Sequence, residues 1–220
     1  MADIFDEVEE DYRAERVRRL LTRYAGVIIA AAILLVAVIA GWRIWEGQQV
    51  RQDAAAGTLY LAALNQSQAA GPAGAPIRAE AMGEMRKLAV SAPAGYRALA
   101  RLNAAAMLAR DGKLPQALGL WNELAADGSV DPLLRELATL LWTQHQIDTG
   151  DPQILESRLK PLAALDSVWH PIAQQQLALL AIRQNKTAAA KDTLRLLSHD
   201  ATAPDGVRNS ATLLLQQLGS

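Results

Sequence analysis

A chain of 220 residues that is 51% hydrophobic and 20% charged, with a net charge of −1 at neutral pH, can bury a core but presents no broad positive field for nucleic acid. The absence of cysteine excludes a disulfide framework and a thiolate zinc site. A single phenylalanine and the scarcity of β-branched clusters outside one N-terminal segment argue against sheet, so an all-α fold is expected.

The first 23 residues put acids first, from Asp3 to Asp11, and bases after them, at Arg13, Arg16, Arg18, Arg19 and Arg23. That order suits the dipole of a short helix and sets the basic end beside anionic lipid. From Tyr24 to Trp42 no residue is charged. A helix of that length spans about 28 Å, close to the hydrocarbon thickness of a bilayer. Backbone groups in lipid must be satisfied within the segment, which dictates a helix. Val38-Ile39-Ala40 offers small residues for signal-peptidase cleavage before Gly41, yet the preceding leader carries seven acidic residues. A retained signal anchor over 24–45 is therefore expected, with the bilayer as one partner. Five arginines precede the segment and only Arg43 and Arg51 follow closely, so the N-terminus is expected in the cytoplasm. Tyr24, Trp42, Arg43 and Trp45 are the expected membrane anchors, their amphipathic side chains at headgroup level. Gly26, Ala30, Ala37 and Gly41 make a small-residue stripe of the kind that lets membrane helices approach, although chance explains it in so alanine-rich a chain.

Residues 46–68 continue without proline, with Val50, Ala54, Leu61 and Leu64 on one helical face. Gly71-Pro72-Ala73-Gly74-Ala75-Pro76 ends that pattern, and a second helix is expected over 77–91. Beyond it the chain repeats a helix–turn–helix unit. The first has Gly112 at its turn and Ala117, Trp121 and Leu124 on one face of its second helix. The next turns at Asp148–Asp151, between Leu137, Leu140, Leu141 and Leu155, Leu159, Leu162. A third turns at Gln184-Asn185-Lys186, between Ile172, Leu177, Leu180 and Ala190, Leu194, Leu197. Gly112, Gly150 and Asn185 lie 38 and 35 positions apart, the period of a tetratricopeptide-type solenoid. The match is partial, since that pattern asks for a bulky residue at Arg101 and a proline at Ser129 rather than at Pro132. A last helix is expected over 204–218, N-capped by Asp205, to cover the apolar face of the final repeat.

The three histidines, His145, His170 and His199, share no helical turn, and no nucleophile elbow, His-Glu-x-x-His or phosphate-binding glycine loop is present. No catalytic, metal-binding or cofactor-binding residues are assigned, no cofactor and no small-molecule substrate are expected, and a non-enzymatic role follows. A helical-repeat domain offers a concave surface for another polypeptide. In tetratricopeptide register the inner face carries Leu102, Ala106 and Arg110, then Leu140 and Gln144, then Gln175 and Leu179. It lacks clustered Lys and Asn for a carboxylate, so an apolar peptide segment or a folded partner is the expected occupant; the same positions equally serve helix packing.

Glu9-Glu10-Asp11-Tyr12-Arg13 through Arg23, the exit Gly41-Trp42-Arg43-Ile44-Trp45, Gln48 and Gln49, and a repeat domain beyond them resemble the YfgM-like ancillary subunits of the bacterial Sec translocon, of alphaproteobacterial type. The resemblance implies a cytoplasmic tail at 1–23, a transmembrane signal-anchor helix at 24–45 and a periplasmic tetratricopeptide-like helical-repeat domain at 46–220, in the bacterial inner membrane. It also implies partnership with the SecYEG translocon and with a membrane-anchored periplasmic chaperone of the prolyl-isomerase type. The expected role is an adaptor that helps transfer translocated proteins to periplasmic chaperones. The alternatives are a helical-repeat scaffold for another envelope process, such as cytochrome maturation or division, and a cleaved, soluble periplasmic binding protein.

Overall fold

The computed structural model describes the backbone of residues 3–219 and the side chains of residues 34–43, 45–71 and 73–219. The helices in chain order are α1 (Asp3–Ser67), α2 (Ala75–Ser91), α3 (Ala94–Arg110), α4 (Leu114–Ala126), α5 (Pro132–Gln144), α6 (Pro152–Leu162), α7 (His170–Arg183), α8 (Thr187–His199) and α9 (Asp205–Gln217), with a 3-10 turn at Pro72–Gly74. No strand occurs among the described residues. The chain divides into two compact units, residues 1–54 and 55–220.

In the first unit, Leu34, Leu35, Val36, Val38, Ile39, Trp42 and Trp45 of α1 are all exposed. The Trp42 and Trp45 rings meet edge to face, 5.9 Å between centroids, and Arg43 is exposed beside them. Among the described residues no helix is long and apolar enough to cross a membrane. Residues 24–33 of the expected span, with Tyr24, Gly26 and Ala30, lie outside the described side chains, as does the tail.

The second unit is a relay of small cores, each built from three successive helices. Ala56 and Ala63 at the end of α1 pack with Ala81, Met85 and Leu88 of α2 and with Ala100, Ala104 and Met107 of α3. Ala98, Ala105 and Leu108 of α3 then join Ala117, Trp121 and Leu124 of α4 and Ala138 of α5. Leu140, Leu159, Leu162 and Ala173 link α5, α6 and α7. Ala178, Leu194, Leu197, Val207 and Ala211 close the series across α7, α8 and α9. Each helix pair contacts only its neighbours, as in a repeat solenoid. The hairpin of the α1 end and α2 adds a unit that the 35-residue period of the sequence does not reveal, because the Gly/Pro loop breaks the spacing.

The punctuation is local chemistry. Proline in the first turn of α2, α4, α5, α6 and α7 costs nothing there, since the missing N–H has no intrahelical partner; for that reason α2 starts at Ala75, two residues before the expected position. Asp131 and Asp151 cap α5 and α6 by accepting from the Leu133 and Gln153 N–H groups, both at 2.8 Å. Asp205 is not a cap: α9 is preceded by Pro204, and Asp205 is its first residue, paired with Arg208. Gly112 and Asn185 take positive φ, 77° and 61°. After each, the next N–H returns to the helix, Lys113 to Leu108 O at 2.8 Å and Lys186 to Ala181 O at 2.9 Å, so α3 and α7 end in the same Schellman turn. Gly150 serves differently: a Cβ there would stand 2.9 Å from Gln146 O, so close backbone approach demands glycine.

Buried polar side chains pin the register. Thr143 donates from Oγ1 to Gln176 Oε1 at 2.6 Å, and Gln176 Nε2 reaches Leu140 O at 3.3 Å, tying α5 to α7. Arg183 clamps the α5–α6 connection through Ile147 O and Gly150 O, at 2.7 and 2.6 Å. Arg101, where the repeat pattern asks for bulk, bonds Asp127 at 2.8 Å. The Ser129 hydroxyl first, then Arg101, hold the Asp127 carboxyl down at about 2. Thr143→Val leaves Gln176 Oε1 buried without a donor and is expected to cost about 1 to 3 kcal/mol in urea unfolding. Thr143→Val with Gln176→Leu removes both polar partners and should recover part of that loss; a double variant as unstable as the sum of the two singles would deny the bond its role.

Candidate functional site

The structure separates the seven positions expected on the inner face. Leu102 and Leu140 are core residues, 4% and 3% exposed, packed in the α3–α5 and α5–α7 cores. They are closed to a partner, which corrects the expectation for both. The helical register places them toward the adjoining helices, where a leucine gains more by packing than by facing a groove. Arg110 is exposed but donates to Ser67 O, and Arg78 donates to Ala69 O at 2.6 Å. Arg110 therefore satisfies a carbonyl of the last turn of α1, and Arg78 one just beyond it. Gln175, half-buried, donates to Ser210 Oγ at 2.7 Å and so holds α7 to α9. Ala106 and Gln144 are exposed and Leu179 is half-buried.

The histidines sit at helix ends. The Nδ1 atoms of His145, His170 and His199 lie within 3.0 Å of backbone carbonyls, of Leu141, Ala163 and Arg195 respectively. His145 also stacks on the wholly buried Trp121, 4.6 Å between ring centroids. Among the described residues no three His, Asp or Glu side chains gather closely enough to hold a metal ion.

A recessed surface lies elsewhere, along α7 and α8. One recess of about 380 Å³ is walled by Leu165, His170, Gln174, Thr193, Leu196 and Asp200. A second of about 240 Å³ is walled by Leu177, Ala181, Gln184, Ala189 and Thr193, with Glu156, Lys160 and Lys186 at its edge. Gln174 and Thr193 line both, so the two are one trough. Leu165 and Leu196, 91% and 76% exposed, flank its mouth, and Val168 is exposed on the same α6–α7 loop as Leu165. Asp200 accepts from the Thr202 hydroxyl at 2.6 Å and from its N–H at 2.8 Å; the hydroxyl bond first, then the N–H, holds the carboxyl below its ordinary range.

The tetratricopeptide register points to the first helix of each repeat and so passes over this trough. The signal was present as spacing: 174, 177 and 181 on α7 with 184 at its C-cap, and 189, 193 and 196 on α8 with 200 at its C-cap, recur every three or four residues.

Residues 18–140 match the family model described as a tetratricopeptide repeat-like domain, a match that takes in the uncharged segment together with the helices up to α5. No curated protein and no solved structure matches the chain.

The rim leucines are expected to contribute little to folding. Leu165→Asp and Leu196→Asp should each leave the unfolding free energy within about 0.5 kcal/mol. Leu194→Ala, at a wholly buried position two residues before Leu196 on the opposite side of α8, should cost about 2 to 5 kcal/mol. Denaturation of the full chain in detergent reads both; equal losses would make the rim part of the core.

Proposed function

Since the chain belongs to the tetratricopeptide repeat-like domain family, we propose that it is a non-enzymatic, membrane-anchored adaptor of the bacterial inner membrane, ancillary to the Sec translocon, whose repeats work by protein–protein interaction. The observation that carries the reading is the pairing of a helical-repeat scaffold with an apolar segment inside one family match. The scaffold supplies surfaces for other polypeptides.

The anchor is supported by the exposed apolar side chains of Leu34, Leu35, Val36, Val38, Ile39, Trp42 and Trp45, which an apolar environment would shelter from water, and by the arginines on the N-terminal side. With the N-terminus in the cytoplasm, residues from 46 onward face the periplasm. The acidic-then-basic tail, the Gly41-Trp42-Arg43-Ile44-Trp45 exit and the repeats beyond it support the translocon as the neighbour and a membrane-anchored prolyl-isomerase-type chaperone as the partner. A tether to the membrane raises the effective concentration of the repeats near emerging chains, so modest affinity suffices.

Purification of the full chain in mild detergent is expected to bring down Sec channel subunits and a periplasmic chaperone. Recovery of cytochrome-maturation or division proteins alone would move the adaptor to that process. A mature N-terminus at Gly41, with release by alkaline carbonate, would remove the anchor from the account.

A further inference from the structure

The trough between α7 and α8 has walls of a particular kind. The α7 wall repeats at 174, 177 and 181 and at the C-cap residue 184, and the α8 wall at 189, 193 and 196 and at the C-cap residue 200, steps of three and four on both sides. That is the spacing with which helices present knobs and holes to another helix. The recesses are centred about seven residues of α8 apart, about 11 Å along its axis, which is two helical turns. An apolar side chain at one position of a helix and another seven residues on would reach both.

The ends differ in charge. Asp200 stands at the Leu165–Leu196 end, ionised and held by Thr202. Beside it, Asp192 and Arg195 pair with each other at 3.0 Å and so cancel. At the opposite end Lys160 and Lys186 face a single acid, Glu156, which Lys160 bonds at 3.0 Å, so one positive charge is left over. A helix carries partial positive charge at its N-terminus and partial negative charge at its C-terminus. The ends of the trough are the complement of that dipole in one direction only.

We propose that this trough binds an amphipathic helix of a partner protein, lying antiparallel to α8, with its N-terminal end at Asp200, its C-terminal end at Lys160 and Lys186, and apolar side chains seven residues apart in the two recesses. The inference rests on the adaptor reading and adds the surface, the secondary structure of the ligand and its direction. Leu165 and Leu196 close over the first apolar anchor, and Ala189 leaves room for the second.

The test uses the full chain in cells of its own host, with a photoreactive phenylalanine placed in turn at Leu196, Ala189, Ala106 and Gln144, and the attached residues mapped by mass spectrometry. Leu196 and Ala189 are expected to attach to one partner segment, the residue attached from Leu196 lying about seven positions N-terminal to the one attached from Ala189. Leu196→Asp should lower attachment from Ala189 at least tenfold without changing thermal unfolding. The opposite order, attachment to lipid, or attachment to a second copy of this chain would overturn the proposal. Capture from Ala106 or Gln144 with none from the trough would overturn it and leave the adaptor reading standing; capture from none of the four positions would overturn both.

Discussion

Close approach between helices at alanine is the constraint on which the rest of the molecule depends. Ala105, Ala117, Ala138, Ala173, Ala190 and Ala211 are wholly buried, one or more at each step of the helical relay. A methyl group at the contact lets two helix axes come to the near end of the usual 8 to 10 Å range. The wider spaces between those points are filled by Trp121, Leu124, Leu155, Leu159 and Leu194, each wholly buried. Each core thus combines alanines with large side chains. A core divided in this way never closes on itself, and each added hairpin leaves new surface on both sides of the stack.

The polar pins follow from that openness. A relay of small cores fixes its members less firmly than one large core, and hydrogen bonds between hairpins supply the missing register. Thr143 with Gln176, Arg183 with Ile147 and Gly150, and Arg110 with Ser67 all cross from one hairpin to the next. Arg158 does the same, stacked 3.8 Å over Trp142 and bonded to Asn122 at 2.9 Å. The buried pair of Thr143 and Gln176 satisfies otherwise orphaned groups, which gives each a steep dependence on its partner.

The helices and their order were legible in the sequence because the signals are local. Apolar periodicity, Asp-Pro starts and the Gly112 and Asn185 stops act within a few residues. Gly150 shared their spacing but not their backbone conformation: spacing reports that a turn is needed there, while close approach to the Gln146 carbonyl, four residues back in the same turn, decides why glycine fills it. Leu102 and Leu140 show the same limit. Repeat register gave a direction for each side chain, yet whether that direction meets solvent or a neighbouring helix depends on how the hairpins rotate against one another. Arg101 illustrates the converse, a departure from pattern made good by Asp127 from the next helix.

The surface left over after packing explains why the trough, rather than the expected inner face, collects exposed leucines. On the inner side, Arg110 and Gln175 already bond the fold, and two leucines are enclosed. Along α7 and α8, the apolar requirement of the core is met by Ala178, Leu194 and Leu197, so Leu165 and Leu196 are surplus to folding. Exposed leucine flanking a recess is a liability for a free protein and an asset for one whose ligand arrives and departs repeatedly. A helix held there as proposed, by two side chains and its dipole, would release readily, since dissociation rate rather than encounter sets most differences in affinity. Fast release is what the proposed hand-over would demand, and the proposed membrane tether would make up for the affinity that it sacrifices.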